Sequence, residues 1–416
     1  MASALILAIY LILLALQFLL EQLLLVLNLR HLRVCQRESP REALEVMPEP
    51  EYRRALEYSR ARGRLGLVSL TVETALILAW ILTGAMGRLE TALGAIPGGP
   101  LLHAVLLVYA VALVFGLAGL PGSIYAQFVI ETRFGFNRTT PPLFLLDLLK
   151  GLALSLAIGT PFLILLFLLV RSTPLWWLWS FAAFSAFQLL MLLLYPRLIA
   201  PLFNRFTPLA EGPLKERIDA LAQRLGFRTR GIFLMDASRR SAHGNAYFTG
   251  WGRSKRIVLF DTLVATLTPE QVAAVLAHEV GHEKKKHTLW RLAATLLASL
   301  AGFYLLNLAL GWNPLFQAFG FATAGLAQAV VLLGFFSGPL AAALRPLASW
   351  LSRRQERAAD RFSYREAGCG EAFVEALIAL SRENLANPTP HPAYSFYHSS
   401  HPTVVERIRA LRNSVR

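Results

Sequence analysis

The sequence predicts a mainly α-helical, polytopic membrane protein of about seven transmembrane helices, with a small α+β domain attached. Of its 416 residues, 55% are hydrophobic and 16% are charged, and the mean hydropathy is +0.48. Ordinary soluble domains carry about 25% charged residues. One long stretch in the second half nevertheless has the mixed polarity of a soluble domain, which explains the two-part prediction.

Seven apolar stretches are long enough to cross a bilayer, for which about 20 residues are needed. They occupy residues 3–29, 65–86, 101–120, 143–170, 175–195, 288–311 and 319–345. The first lacks the basic start and small-residue cleavage site of a signal peptide, so we interpret it as a span. The predicted division is spans one to five (1–195), an α+β segment (196–287), spans six and seven (288–345) and a helical C-terminal segment (346–416).

The distribution of basic residues predicts the orientation in the membrane. The net charge is +15, from 41 basic and 26 acidic residues. The connections at 30–64 and 121–142, the α+β segment and the C-terminus are basic, whereas the other three connections hold almost no basic residues. Cytoplasmic loops show this bias, so the N-terminus is predicted outside and the α+β segment inside. We therefore expect a lipid bilayer, not a nucleic acid, as the partner that explains the charge.

Charged residues in or near spans are costly and usually face protein or water. This chain has Glu73, His103, Asp147, Lys150 and Arg291 in such places. A water-filled interior would accommodate the set. Asp147 and Lys150 are three residues apart, so a salt bridge between them is a simpler explanation for those two.

Residues 196–287 combine helix and strand patterns. Apolar residues at helical spacing occupy 214–225, and short β-branched and aromatic runs at Gly231–Met235 and Arg256–Phe260 predict strands. Between the two strands lies H-G-N-A-Y-F-T-G, residues 243–250. We expect that segment to be either an edge strand or one arm of a hairpin.

A helix beginning after Thr268 carries the most specific motif of the chain. Thr268 suits the N-cap and Gln271 the matching position of a capping box. The helix continues into His278-Glu279-Val-Gly-His282, in which the two histidines are four apart and therefore on one face. His-Glu-x-x-His on a helix is typical of zinc metallopeptidases, with the glutamate placed to accept a proton from an attacking water. A buried, metal-free trio would instead leave polar groups unpaired at about 1–3 kcal/mol each.

A catalytic zinc needs a third protein ligand. The segment S-R-R-Q-E-R-A-A-D, residues 352–360, follows the last span and offers Glu356 and Asp360 one helical turn apart. We predict Glu356 as the third ligand and Asp360 as a residue that holds a ligand histidine by its other ring nitrogen. The alternative interpretation of this segment is a charged helix that is exposed to solvent and binds no metal. Farther on, His401 and Arg407 are candidates to stabilise the oxyanion of a tetrahedral intermediate.

At this point the chain resembles the zinc-dependent, integral-membrane CAAX prenyl proteases. The matching pieces occur in family order: R-F-G-F-N-R-T-T, H-G-N-A-Y-F-T-G, H-E-V-G-H with the downstream His287, S-R-R-Q-E-R-A-A-D and Y-H-S-S-H-P-T-V-V-E-R-I. Heat-shock membrane proteases share the metal motif, but they are shorter, have about four spans and lack the first loop. The resemblance therefore favours the prenyl-protease branch.

The resemblance implies roles for individual residues. It implies one zinc ion per chain held by His278, His282 and Glu356, with Glu279 as general base. It also implies that an extended peptide contacts an edge strand at Asn245, Ala246 and Tyr247, and that His401 and Arg407 surround the reacting carbonyl. Members of the family have seven helices around a large water-filled chamber, with the zinc site at one end.

The function predicted from these observations is membrane-embedded zinc metalloendopeptidase. Its substrates are expected to be peptides or proteins of the CAAX type, prenylated or not, cleaved near the C-terminus on the cytoplasmic side. Only six of the 41 basic residues are lysine, as in proteins of GC-rich bacteria, and a bacterial member would lie in the inner membrane. Two alternatives remain at this point: general membrane-protein quality control by the same chemistry, and a seven-span transporter or receptor with a structural metal site.

Overall fold

The computed structural model describes residues 1–227, 229–249 and 255–413. In chain order, the helices within these residues are α1 (Ala2–Glu38), α2 (Arg41–Leu44), α3 (Glu49–Leu82), α4 (Ala85–Gly94), α5 (Pro100–Tyr125), α6 (Pro141–Ser172), α7 (Trp176–Leu194), α8 (Ala200–Phe203), α9 (Pro213–Arg224), α10 (Asp261–Thr266), α11 (Pro269–Lys284), α12 (His287–Leu310), α13 (Asn313–Ala318), α14 (Leu326–Arg361), α15 (Gly370–Glu383), α16 (Pro392–His398) and α17 (Val404–Asn413). The strands are β1 (Phe206–Pro208), β2 (Ile232–Met235), β3 (Ala246–Thr249) and β4 (Arg256–Phe260). The predicted mainly α fold with a small α+β part is confirmed.

Seven helices of the described residues are long and apolar enough to cross a membrane, as predicted. They are α1, α3, α5, α6, α7, α12 and α14. Each packs against the next in this order, and α14 packs back against α1, so the seven form a closed ring. In each of the first six helices, only 6% to 17% of the residues in the most apolar 18-residue stretch are buried. A solid bundle would bury one side of every helix, so this low burial indicates a single layer of helices around a central space.

The ring is closed at the end away from the metal helix by an aromatic and aliphatic core. Tyr10 of α1 is fully buried there and makes edge-to-face contacts with Phe319 and Phe336, at ring-centroid distances of 5.1 and 4.9 Å. Phe115 of α5 contacts Phe335 of α14 at 5.5 Å in the same way. Contacts of this geometry add about 0.5–1.5 kcal/mol each to the burial of the rings. This core fixes the helices relative to one another at one end of the ring.

Two helices differ in extent from the sequence prediction. The connection predicted at 121–142 is helical as far as Glu131, because α5 continues into a wider π-helical segment, Ala126–Glu131. The chain leaves this helix only at Gly135, whose φ of +83° favours glycine. The last span is also longer than predicted, since α14 runs without interruption from Leu326 to Arg361. It therefore crosses the boundary placed at 345/346.

The α+β part is built on a four-stranded sheet of order β1-β2-β4-β3. β2 and β4 are parallel, and β3 pairs antiparallel with β4 at the edge of the sheet. Residues 243–249 thus supply an edge strand, as expected, while Gly250 of that motif lies outside the described residues. One face of the sheet packs on α9 and α11, in a core that includes Ile257, Leu259 and Val280. The sheet therefore supports the metal helix directly.

The pairing expected between Asp147 and Lys150 is wrong. Asp147 accepts two hydrogen bonds from Arg240, at 2.8 and 3.0 Å, and so ties α6 to the α+β part. Lys150 donates instead to the carbonyl of Leu202 at 2.7 Å. A planar guanidinium matches a carboxylate with two parallel hydrogen bonds, which an ammonium three residues along the same helix cannot provide.

Candidate metal centre and active site

Helix α11 begins with the predicted capping box. The Thr268 hydroxyl accepts from Gln271 N at 3.3 Å, and the Gln271 side chain accepts from Thr268 N at 3.1 Å. The helix then packs against α14 through Gly281, the glycine of the His-Glu-Val-Gly-His motif. A Cβ there would lie 3.1 Å from Ala359 Cα and from Phe362 Cβ. Glycine at this position thus permits the close contact of α11 with α14.

The contact brings the three predicted metal ligands together. His278 and His282 face each other with their Nε2 atoms 3.2 Å apart. Glu356 of α14 places Oε2 3.3 Å from His278 Nε2 and Oε1 3.3 Å from His282 Nε2. One donor atom from each residue lies within 4.8 Å of the others. Two nitrogens and one carboxylate oxygen are a donor set of catalytic zinc sites, which keep one position open.

These residues fit a metal cation on their own evidence. Glu356 is 3% exposed, and its Oε2 has no hydrogen-bond partner within the described part of the chain. Burying an unpaired carboxylate is costly. Burial lowers the pKa of His278, but the nearby carboxylates of Asp360 and Glu356 outweigh this and raise it to about 9. The surroundings of these ligands therefore favour a positive charge between them, which a divalent ion would supply.

Further polar side chains lie next to the two candidate ligand histidines, on the side away from the metal position. Asp360 places Oδ1 2.9 Å from His278 Nδ1, on the ring nitrogen that does not face the other ligands. Arg407 donates to both oxygens of Asp360, at 2.9 and 2.6 Å. His287 Nδ1 lies 3.0 Å from His282 Nδ1, so a polar side-chain atom lies next to the second ring nitrogen of each candidate ligand histidine. Such partners fix the ring orientation of metal-binding histidines.

Glu279 follows the first ligand histidine and lies close to the metal position. Its carboxylate forms no hydrogen bond or salt bridge with any residue that the structure describes. Burial, opposed by the charges of His278 and His282, raises the pKa of Glu279. A carboxylate with a raised pKa and no fixed partner is suited to accept and return a proton.

His401 and Arg407, predicted together at the reacting carbonyl, occupy different positions in the site. His401 Nε2 lies 3.3 Å from Glu356 Oε1, beside the ligands, while Ser400 Oγ lies 2.8 Å from its Nδ1. Arg407 is held by Asp360, with its guanidinium 5.8 Å from the ring of Phe373. His401 is therefore the more directly placed of the two for contact with a reacting carbonyl.

The predicted peptide-contact residues begin the edge strand. Asn245 accepts from Phe260 N through its backbone at 3.0 Å and from Ala246 N through its side chain at 2.8 Å. Ala246 is buried against α11, and the Tyr247 ring lies on the opposite face, near Met235. The outer edge of β3 has no strand beside it among the described residues.

A polar network that the sequence did not predict holds His243 and Gly244, which lie just before β3. His243 Nδ1 lies 2.9 Å from Asn384 Oδ1, and its Nε2 lies 3.3 Å from Glu131 Oε2. Its ring stacks on Phe136 at 4.0 Å, and Gly244 N donates to Asn384 Oδ1 at 3.3 Å. The two motifs R-F-G-F-N-R-T-T and H-G-N-A thus meet here, beside a cavity of about 540 Å³.

Comparison with known protein families covers nearly the whole chain. Residues 28–205 match the family described as CAAX prenyl protease N-terminal, five membrane helices, and residues 208–415 match peptidase family M48. The change from one family to the other falls at β1, just after α8, where the ring of helices gives way to the sheet.

Individual proteins are similar over comparable lengths. The CAAX prenyl protease 1 homolog of Oryza sativa is 34% identical over 387 residues, 90% of each chain. The CAAX prenyl protease 1 of Saccharomyces cerevisiae is 39% identical over 312 residues, 71% of this chain and 69% of the yeast protein. The crystal structure of S. mikatae Ste24p superposes with a TM-score of 0.88 at 31% identity, covering 98% of this chain and 99% of that one.

Proposed function

The chain belongs to peptidase family M48 and to its CAAX prenyl protease branch, and from that premise we propose that it is a zinc metalloendopeptidase of CAAX-type peptides. It is an integral, multi-pass membrane protein. The proposed reaction is hydrolysis of a peptide bond near the C-terminus of a membrane-associated peptide. The observation that carries the proposal is the convergence of His278, His282 and Glu356, with Glu279 beside them and without a partner in the described residues.

In the proposed mechanism, His278, His282 and Glu356 would hold a zinc ion, which would act as a Lewis acid that makes water acidic near neutral pH and polarises a carbonyl. Glu279 accepts the proton of the attacking water and later returns it to the leaving amine. His401 donates a hydrogen bond to the oxyanion of the tetrahedral intermediate. Arg407 acts mainly by holding Asp360, which keeps His278 in the tautomer that leaves Nε2 free.

The proposed substrate binds as an additional strand. An extended peptide pairs with residues 244–248, of which β3 contains 246–248 at the sheet edge. Backbone pairing of this kind supplies affinity without requiring a particular sequence. Specificity then depends on side-chain contacts and on how the peptide reaches the site.

The proposed site lies at the cytoplasmic edge of the bilayer. Only Lys285 and Lys286 separate α11 from α12, the sixth membrane helix. The basic loops at this end of the ring support a cytoplasmic orientation, because cytoplasmic loops of membrane proteins are enriched in basic residues. This position suits a substrate with its peptide in water and a lipid group in the membrane.

The decisive experiment replaces the proposed general base. Glu279→Gln keeps the shape of the side chain but cannot accept a proton, so we expect kcat to fall by about 10²–10⁴-fold with bound zinc unchanged. Purified protein would be assayed on a CAAX-terminated peptide, with zinc measured by elemental analysis. Glu366→Gln, at an exposed glutamate, is the control. Full activity of Glu279→Gln would exclude the proposed mechanism.

Lipid dependence separates prenyl-directed processing from general quality control. The same peptide would be supplied farnesylated and unmodified, in lipid bilayers of one composition. We expect the farnesylated peptide to be cleaved with the higher kcat/KM. Equal kcat/KM values for the two peptides would favour the quality-control alternative, in which the enzyme cleaves membrane-associated peptides without recognising the lipid group.

A further inference from the structure

Arg353 is a buried arginine that contributes no atom to the metal site. It is 9% exposed, and its Nη1 donates to three backbone carbonyls. These belong to Ser395, Phe396 and Ser399, at 3.1, 2.9 and 2.8 Å. Burying a guanidinium is costly unless it is hydrogen-bonded, so three contacts through one nitrogen indicate a specific role for this side chain.

The three carbonyls lie at the C-terminal end of α16. The last carbonyls of a helix have no partner within the helix, and a cation there also interacts favourably with the helix dipole. The guanidinium carbon lies 5.2 Å from the ring of Phe396, which adds a cation–π contact. Arg353 thus binds the point at which α16 ends and the chain turns back towards the metal site.

His401 comes two residues after the last of these carbonyls, that of Ser399. Its Nε2 lies 3.3 Å from Glu356 Oε1. Arg353 and Glu356 are three residues apart and lie on the same face of α14. One turn of α14 therefore carries the candidate metal ligand Glu356 and also Arg353, which binds the segment leading to His401.

The same face of α14 makes two further contacts with α16. Ser349 Oγ donates to the carbonyl of Tyr397 at 3.0 Å, and the Tyr397 hydroxyl donates to the carbonyl of Ala342 at 2.9 Å. These hydrogen bonds hold Tyr397, one residue before the end of α16, against α14 without Arg353. Loss of the Arg353 contacts should then release Ser399 and the residues that follow it, while α16 itself remains docked.

We propose that Arg353 is a positioning residue for His401. By holding the carbonyls of residues 395–399, it fixes the position of His401 relative to Glu356. It thereby aligns the imidazole with the oxyanion that forms during hydrolysis. This inference rests on the role proposed above for His401. The side chain of Arg353 touches neither substrate nor metal in this scheme, and its effect on the reaction passes entirely through His401.

The test is a double-mutant cycle on the full-length, zinc-loaded protein. The variants are Arg353→Met, Arg353→Lys, His401→Ala and the combination of Arg353→Met with His401→Ala. Arg354→Met is the matched control, because Arg354 is the exposed neighbour and faces the ring of Trp350. Each protein is assayed for kcat and KM on one CAAX-terminated peptide, and for bound zinc and thermal midpoint.

The proposal predicts non-additive losses. Removing one oxyanion-stabilising group typically costs about 10²–10³-fold in kcat, so His401→Ala should fall in that range. Arg353→Met should approach the same loss, with KM and zinc content within about twofold of wild type. The combined variant should be no less active than His401→Ala alone, because a misplaced imidazole and a missing one are equivalent. Arg353→Lys, whose ammonium keeps three donors on a shorter side chain, should recover part of the activity.

Three outcomes would overturn the proposal. Wild-type kcat in Arg353→Met would show that the contact does not position His401. A combined variant whose loss is the product of the two single losses would show that Arg353 acts independently of His401. Loss of zinc or of folding in both Arg353 variants would make the residue structural. Failure of the proposed function is recognised separately, by full activity of Glu279→Gln, which does not depend on any Arg353 result.

Discussion

Asp360 Oδ1 lies 2.9 Å from His278 Nδ1, on the side of the imidazole that faces away from the other candidate ligands. The same carboxylate is bound by Arg407. Asp360 therefore links a ligand on α11 to α17, the last helix. It is buried to 3% exposure, so neither partner can be replaced readily by water.

Replacing Asp360 by alanine should weaken zinc binding. Without the carboxylate, His278 loses the partner that fixes its ring, and such losses typically reduce metal affinity by about 10–100-fold. Competition with a chelator of known affinity measures the effect. The exposed Glu366, paired with Lys285, serves as control through Glu366→Ala, which should leave zinc affinity unchanged. Unchanged affinity in Asp360→Ala would argue against the supporting role.

Replacing Gly281 by valine should separate α11 from α14. A Cβ would already meet Ala359 Cα at 3.1 Å, and valine adds two further methyl groups. We expect Gly281→Val to lower the free energy of unfolding by about 1–3 kcal/mol and to weaken zinc binding, because Glu356 moves with α14. Thermal unfolding and zinc titration measure the two effects. Gly302→Ala on α12, where a Cβ meets nothing within 4 Å, is the control, and similar behaviour of both variants would contradict the explanation.

Replacing Asn384 by alanine should impair peptide binding more than catalysis. Its side chain accepts from Gly244 N and contacts His243, just before the edge strand. Loss of these hydrogen bonds costs about 1–3 kcal/mol, so we expect an increase in KM of about tenfold with smaller change in kcat. The exposed neighbour Glu383 provides a control through Glu383→Ala. A fall in kcat alone, at constant KM, would not agree with an anchoring role.

His398 should make stability depend on pH. Burial and, second, the positive charge of Arg345 lower the pKa of His398 from its ordinary 6.5 to about 4. The unfolded chain therefore binds a proton more readily, and protonation favours unfolding. The contribution of His398 is complete above pH 6.5 and is lost as the pH falls towards 4.

The pH effect can be isolated with His398→Gln, which stays neutral and retains an acceptor for Arg345. Between pH 7 and pH 5, wild type should lose up to about 2 kcal/mol of stability relative to this variant. Thermal midpoints in one detergent, measured across that range, provide the comparison. Parallel curves for the two proteins would exclude the predicted linkage.

The membrane helices and the two candidate ligand histidines were predictable because their signals are local. Long apolar runs need no partner to be recognised, and the capping box, metal motif and helical spacing of α11 lie within 15 residues, from Thr268 to His282. Glu356 was predictable only from the expectation that a catalytic zinc needs one more ligand. Its neighbour Asp360 followed from the spacing of one helical turn.

The parts that escaped prediction depend on tertiary contacts. β1 has three residues and ends in Pro208, so it carries no alternating pattern, and its pairing with β2 defines it. The supporting role of His287 depends on how the chain turns at Lys286, whose φ is +59°. In the sequence, nothing distinguishes Arg353 from the other arginines of the same helix. Only the approach of α16, from more than 40 residues away, identifies its partners.

The continuous course of α14 has a mechanical consequence. Its first residues belong to the hydrophobic core at the far end of the ring, and its last turns carry Glu356, so one helix reaches from one side of the bilayer to the metal centre. Membrane helices adapt to bilayer thickness by tilting. A tilt of the part of α14 that follows Pro346 would displace Glu356 relative to the two histidines of α11. We therefore expect lipid chain length to tune the geometry of the metal centre, without any change in the amino-acid sequence.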